Sequence, residues 1–240
     1  MRYPFIGGLL GLTILASAAD VPKGTPVEPA THLAQVDKLI GADAMTKGSP
    51  AILWKIAKGR WERLDLGTMG GELPADRNNA ILRLPVKLNA FVVAFEVRLE
   101  GAANLQFRIN TAKEHLARVI ITPTAFTLRR DDYDGDGPEK AYTLFTQPTT
   151  NDPGTWHTVV FEMVGETAVA SLDGKVTGWG QDPAFAKEIR VNPSFHVDGS
   201  AAAIRQFSIW AAKAEPKATW AAKRDSLPKP LEKPKKKNGG

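Results

Sequence analysis

Across residues 52–212 apolar and polar side chains alternate with a period of two, and Gly, Pro, Asn or Asp interrupts the alternation roughly every eight to twelve residues. A strand sends successive side chains to opposite faces, so this rhythm predicts an all-β fold of short strands, each with one buried face. The cleanest alternation is Phe95-Glu96-Val97-Arg98-Leu99-Glu100 and, after Gly-Ala-Ala-Asn, Leu105-Gln106-Phe107-Arg108-Ile109-Asn110. These two segments are predicted to form a hairpin. Further strands are expected over residues 82–84, 118–122, 125–130, 141–146, 158–164, 168–172 and 204–210. The core shows no long helical spacing, no βαβ alternation and no internal repeat.

The flanks differ. Leu33, Val36, Leu39 and Ile40 fall at helical spacing, which predicts a short amphipathic helix over residues 32–44, packed on the sandwich edge. It lies within a leader, residues 20–50, whose start is rich in Pro and Thr. Residues 213–240 hold Pro216, Pro228, Pro230 and Pro234 and end in Lys235, Lys236, Lys237 and Asn-Gly-Gly. So biased a stretch is expected to form a disordered, solvated tail, with one helical turn over residues 219–224 anchored by Trp220.

At the start, Arg2, an apolar run over residues 5–15 and then Ala16-Ser17-Ala18 have the form of a secretory signal peptide, with cleavage expected after Ala18 or Ala19. The run falls short of the ~20 residues that span a bilayer. The expected organisation is therefore a signal peptide (1–19), a leader (20–50), a β-sandwich domain (51–212) and a tail (213–240). The mature chain is expected outside the cytoplasm, periplasmic or secreted, without a membrane span. Cysteine is absent, which excludes disulfides, a thiol nucleophile, a thiolate metal site and a lipidated cysteine.

The net charge of +5 would suggest an acidic partner if it were spread evenly. It is not. Nine basic against three acidic residues give the segment after Ala212 a charge of +6, and residues 20–212 carry −2. Nucleic acid is therefore not an expected partner of the core. The lysine tail offers either a solvated end or an electrostatic contact with an acidic envelope surface or glycan.

The order of aromatic and turn residues resembles the 3-keto-disaccharide hydrolase-like family of concanavalin A-like sandwiches. Trp54-Lys55-Ile56-Ala57-Lys58-Gly59-Arg60-Trp61 is similar to that family's opening Trp and Gly-x-Trp strands, and Asn104-Leu105-Gln106-Phe107-Arg108 to its Asn-Ser-Gly-Ile-x-Phe-Arg strand, without the Ser-Gly pair. Gly154-Thr155-Trp156-His157, Leu172-Asp173-Gly174 and Ile204-Arg205-Gln206-Phe207-Ser208-Ile209 resemble its later strands. Where the family often carries Asp-His-Gly, this chain has His196-Val197-Asp198-Gly199. The resemblance covers about residues 52–211. It implies a concanavalin A-like jelly roll and a carbohydrate partner, with glycoside hydrolysis of the 3-keto-disaccharide type as its enzymatic form. It also draws attention to His196 as an acid or base.

In the predicted hairpin, Glu96, Arg98, Glu100, Gln106, Arg108 and Asn110 would share one outer face. Arg98, Asn104, Gln106 and Arg108 are the candidate sugar contacts, since planar polar groups suit hydroxyls. The competing reading is a solvated face with cross-strand ion pairs. Hydrolysis needs two carboxyls ~5 to ~9 Å apart. Glu96 and Glu100 are too far apart along one strand, which leaves Glu96 with Asp131 or Asp198 from separate strands. The catalytic candidates are thus His196, Glu96 and Asp198. The four histidines have no zinc spacing, and His157 is expected to be structural. Asp132-Tyr133-Asp134-Gly135-Asp136-Gly137 resembles half a calcium loop, but position 143 is Thr rather than the closing Glu, and a hairpin tip explains the string without metal. No metal and no cofactor are expected, and no nucleotide or serine-hydrolase motif is present. The readings left open are glycan recognition, glycoside hydrolysis and a cell-envelope structural or interaction domain.

Overall fold

A computed structural model of the 240-residue chain describes residues 26–49, 53–76, 79–133 and 140–233. Residues 1–19, and with them the expected signal peptide, lie outside the described residues. The strands in chain order are β1 (Ala34–Asp43), β2 (Lys55–Lys58), β3 (Arg60–Leu64), β4 (Gly67–Gly71), β5 (Ala80–Arg83), β6 (Lys87–Leu88), β7 (Phe91–Leu99) and β8 (Ala102–Asn110). They continue with β9 (His115–Thr122), β10 (Ala125–Arg130), β11 (Tyr142–Pro148), β12 (His157–Val164), β13 (Thr167–Leu172), β14 (Val176–Gln181), β15 (Arg190–Gly199) and β16 (Ala202–Pro216). Two short helices, α1 (Pro183–Lys187) and α2 (Trp220–Asp225), complete the chain.

The strands form two antiparallel sheets. One runs β14-β13-β12-β7-β16-β4-β3 with β1 also on β16; the other runs β11-β10-β9-β8-β15-β5-β2 with β6 also on β15. Inward positions from both sheets make the core. At its centre Phe95 and Phe207 of the first sheet meet Phe107 and Phe195 of the second, with ring centroids 4.9 Å apart for Phe95–Phe195 and 5.3 Å for Phe95–Phe107. Trp54 closes the cluster 4.9 Å from Phe207, and its indole N–H donates to Asp43. The opening Trp of the sequence pattern therefore serves packing.

Period-two alternation thus identified the sandwich, but not which strands pair. β7 and β8 do not form the predicted hairpin: they belong to opposite sheets. The backbone of the intervening turn bonds instead to Ala201, which accepts from the N–H groups of Glu100 and Ala102. Gly101 there has φ +86, a left-handed conformation that favours glycine.

The predicted N-terminal helix is also corrected. Residues 34–43 form β1, paired along the last part of β16 from Phe207 to Pro216, with three register shifts. Two of these shifts, between Val36 and Lys38 and between Leu39 and Gly41, put an extra residue into β1 and break its period of two, and Leu39 and Ile40 are exposed instead of forming a packed helix face. The first part of the expected tail is structured as well. β16 runs to Pro216, α2 follows with Trp220 buried, and the Leu231 N–H donates to the Leu144 carbonyl. The helical turn anchored by Trp220 is as predicted, whereas the contacts made by residues 213–231 are not those of a solvated tail. The three consecutive lysines lie outside the described residues.

The two sheets close tightly where β14 meets β11. A Cβ on Gly178 would sit 2.0 Å from Phe145 Cδ1, inside the ring's van der Waals envelope. Gly178→Ala is expected to cost about 1–3 kcal/mol through overpacking, read as a lower denaturant midpoint with unchanged slope.

Candidate functional site

The outer face of the second sheet carries a hydrogen-bonded polar relay. Outward positions of β8 and β15 lie opposite each other: Asn104 with Asp198, Gln106 with His196, Arg108 with Ser194. Asn104 Nδ2 donates to Asp198 Oδ2 (2.9 Å), Gln106 Nε2 to Asn104 Oδ1 (2.7 Å), and Arg108 Nε to Gln106 Oε1 (2.9 Å). Arg118 of β9 donates to the same Gln106 oxygen at 3.0 Å and is paired with Asp131. The relay continues from Arg108 to His115 Nε2 (2.8 Å), and from His115 Nδ1 to Asn110 Oδ1 (2.6 Å). Ser194 Oγ meets His196 Nε2 at 3.0 Å.

These groups are held rather than solvated. Gln106, Arg108 and Asn110 are buried, and His196 is only 2% exposed. Burial first, and then the charges of Arg108, Arg118 and Arg83, hold both imidazoles well below the usual histidine range, His196 at about 2 and His115 at about 4. Both rings are therefore neutral near pH 7, and each offers one donor and one acceptor. The Arg108 guanidinium is lowered to about 10, chiefly by burial, and stays charged.

Register adds a feature the sequence hides. Lys55, Arg83, Ser194, Arg108, Arg118 and Arg129 occupy successive positions on one transverse line across β2, β5, β15, β8, β9 and β10. Five of these six are cations. At ~4.8 Å per strand the line is ~24 Å long. Asp131, within ion-pair reach of Arg118 and Arg129, is the acid seated in it. Beside Arg83 a cleft of about 150 Å³ opens, lined also by Asn110, His115, Lys113, Glu114 and Asn192.

The candidate residues fall into two groups. Asn104, Gln106, Arg108, His196 and Asp198 come together on this face. Glu96 and Arg98 do not: they project from the outer face of the first sheet, where Glu96 pairs with Arg205 and Arg98 with Glu100. There Trp156 lies against both guanidinium groups, 4.1 Å from Arg205 and 4.9 Å from Arg98. The single platform of the sequence reading is thus two separate surfaces. With ~10 Å between the sheets, outward carboxylates on opposite faces cannot flank one bond. Asp131 and Asp198 do share a face, but Asp131 neighbours Leu116 near the Asn110 end of β8 and Asp198 lies opposite Asn104, about 17 Å of strand away.

The residues missed by sequence reasoning are Lys55, Arg83, Arg118, Arg129, His115 and Ser194. They are scattered over 140 positions, and only strand register aligns them. His157 is structural as expected, its Nδ1 2.8 Å from Asp173 in the turn before β14. Of the calcium-like string, residues 134–139 lie outside the described residues. Among the described residues no group of three or more His, Asp or Glu is placed to hold a metal, and no helix is long and apolar enough to cross a membrane.

No family model and no curated protein matches the sequence. Solved structures resemble it in fold. A carbohydrate-binding module, CBM66, from Bacillus subtilis is 11% identical with a TM-score of 0.54, covering 66% of this chain and 95% of the module. A Bacillus subtilis protein of unknown function with a galectin-like fold is 9% identical with a TM-score of 0.55, covering 75% of this chain and 98% of that one. A non-specific endo-β-1,3(4)-glucanase of family GH16 is 10% identical with a TM-score of 0.55, covering 79% of this chain and 95% of the enzyme. The chain is a concanavalin A-like antiparallel β-sandwich.

Proposed function

We propose that this is an exported carbohydrate-recognition domain whose contact surface is the outer face of the sheet containing β8, β9, β10 and β15. The observation that carries this reading is the relay from Asp198 through Asn104, Gln106, Arg108 and His115 to Asn110. Its amide, guanidinium and imidazole groups are fixed by one another, so little side-chain freedom is lost when hydroxyls replace water. A merely solvated sheet face has no need to bury a guanidinium and two amides in one network. A carbohydrate-binding module and a glucanase are among the solved structures of similar fold, in keeping with this reading.

Hydrolysis of the 3-keto-disaccharide type is less well supported. It loses Glu96 to the opposite face, and His196 near pKa 2 is a weak proton acceptor at neutral pH. On this reading His196 and Asp198 position the relay, and Arg98 lies outside the site.

Probed on an array of neutral and acidic polysaccharides, the folded chain is expected to be retained on at least one class. Gln106→Ala removes the group shared by Asn104, Arg108 and Arg118, and should weaken retention about tenfold by leaving buried partners unpaired. Arg205→Ala on the opposite sheet should leave retention unchanged. Loss of retention in Arg205→Ala but not in Gln106→Ala would assign recognition to the other surface.

A further inference from the structure

The transverse line of cations is not a by-product of overall basicity, since residues 20–212 carry a net charge of −2. Its members also differ in how far they are committed to internal partners. Arg118 is committed to Asp131 and Gln106, and Arg108 to Gln106 and His115. Arg83 and Arg129 are not. Neither guanidinium donates a hydrogen bond to an acceptor among the described residues; Arg83 is half-buried, and Arg129, 38% exposed, comes no closer than 3.5 Å to Asp131. Lys55 is exposed at the end of the line. The part-exposed guanidinium groups of Arg83 and Arg129 therefore keep N–H donors that a carboxylate can reach.

The rest of the face fits the same partner. Among the described residues the apolar side chains on its outward positions include Ile81, Ile120 and Val191 and no Trp, so the surface meets a ligand with guanidinium and amide groups rather than with an indole plate. A guanidinium presents two parallel N–H groups that match a carboxylate, and the fork is pre-organised for it. The uncommitted donors at Arg83 and Arg129 lie four strands apart, about 19 Å. That separation suits a chain that repeats its charge over several sugar units better than a single small anion. Both sit beside the relay that would receive hydroxyls, and Arg83 also borders the cleft next to Asn110 and His115.

We infer that the Lys55–Arg83–Arg108–Arg118–Arg129 line makes this surface selective for uronic-acid polysaccharides, whose carboxylates dock on Arg83 and Arg129 while their hydroxyls meet the Asn104–Gln106 relay. This rests on the glycan-binding reading of the same face and specifies its ligand class.

The test compares one polymer in two charge states. Polygalacturonate and its carboxyl-reduced, neutral counterpart are titrated against the full mature chain by calorimetry, with dextran sulfate as a third ligand. Arg83→Gln and Arg129→Gln replace donors that the relay does not use, and unchanged thermal melts establish that each variant is folded. Polygalacturonate is expected to bind at least about tenfold more tightly than the reduced polymer, and each variant to lose about tenfold toward it alone. The affinity should fall as salt is raised. Equal binding of the two polymers, unaffected by either variant, would overturn the charge selectivity and leave glycan recognition standing. Dextran sulfate binding as tightly as polygalacturonate would reduce the line to an unselective anion patch. No binding to these polymers, together with an empty neutral and acidic array, would remove both readings.

Discussion

Acidification from pH 7 to pH 4 is expected to destabilise the sandwich by several kcal/mol, through His196 before its carboxylates matter. The sign follows from the direction of the shift. Burial and the facing charges of Arg83 on β5, Arg108 on β8 and Arg118 on β9 hold folded His196 at about 2, against 6.5 in an open chain. Below pH 6.5 the unfolded chain therefore binds a proton that the folded chain refuses, and stability falls as pH falls. The contribution is fully present above 6.5 and is lost progressively down to about 2. At ~1.4 kcal/mol per pH unit, His196 alone accounts for roughly 3 kcal/mol between pH 6.5 and 4. His115, whose ring centroid is 5.8 Å from that of His196, works in the same direction down to about 4, with a smaller share because it is more open to solvent. Urea unfolding at pH 7, 5.5 and 4 should show this slope. His196→Asn, which keeps a polar group near Ser194 but cannot take up a proton, should flatten it. A His196 imidazole titrating near 6.5 by NMR in the folded protein would refute the account.

That prediction depends on a neighbourhood that could be read only in part from the sequence. Alternation at Phe95–Leu99 and Leu105–Ile109 correctly separates inward from outward residues, because pleating is local. It carries no information about which sheet each strand joins. Hairpin and cross-sheet connections between β7 and β8 leave the same alternating trace, and the choice is made by Ala201, which captures the turn's amides a hundred residues later. Arg108, Gln106 and Asn104 were visible as a set because they share one strand. Arg83, Arg118 and Arg129 were not, because each lies in a different strand and becomes part of a line only through cross-strand register. Glu96 and Arg98 were grouped with them by parity alone, which two sheets defeat.

The flanks failed for a different reason. Propensity and spacing describe a segment on its own, whereas β1 and the stretch after Ala212 are ordered by what they cover. Val160, Val164 and Trp210 project from the outer face of the first sheet, and Leu33, Ala34 and Trp220 bury them in a second apolar cluster. In sequence these outward apolar residues read as extra core positions. Their partners lie in segments whose proline and lysine content suggests no core at all.

A single carboxylate fastens that cover, and its removal is expected to have the largest effect of any substitution outside the central core. Glu162 on β12 is 1% exposed, and its two oxygens accept the backbone N–H groups of His32 (2.9 Å), Leu33 (2.9 Å) and Ala34 (2.7 Å). Burial pushes its carboxyl above the usual range, while the three N–H groups pull it down. Glu162→Ala would leave those donors beneath the apolar cover with no acceptor, at about 1–3 kcal/mol for each that stays buried. The chain can escape part of this by releasing residues 32–34 to water, so a net loss of roughly 3–5 kcal/mol is expected. Release would also unseat β1 and expose the edge of β16 from Phe207 to Pro216, an invitation to pair with another copy. Limited proteolysis should then cut within residues 26–43 at protease levels that leave the unaltered chain intact, and the variant should aggregate on heating. Glu162→Gln, which retains one acceptor oxygen, should fall between the two. A Glu162→Ala protein with unchanged stability and an uncut N-terminal strand would mean that β1 is held by its pairing with β16 alone, and that the carboxylate is incidental.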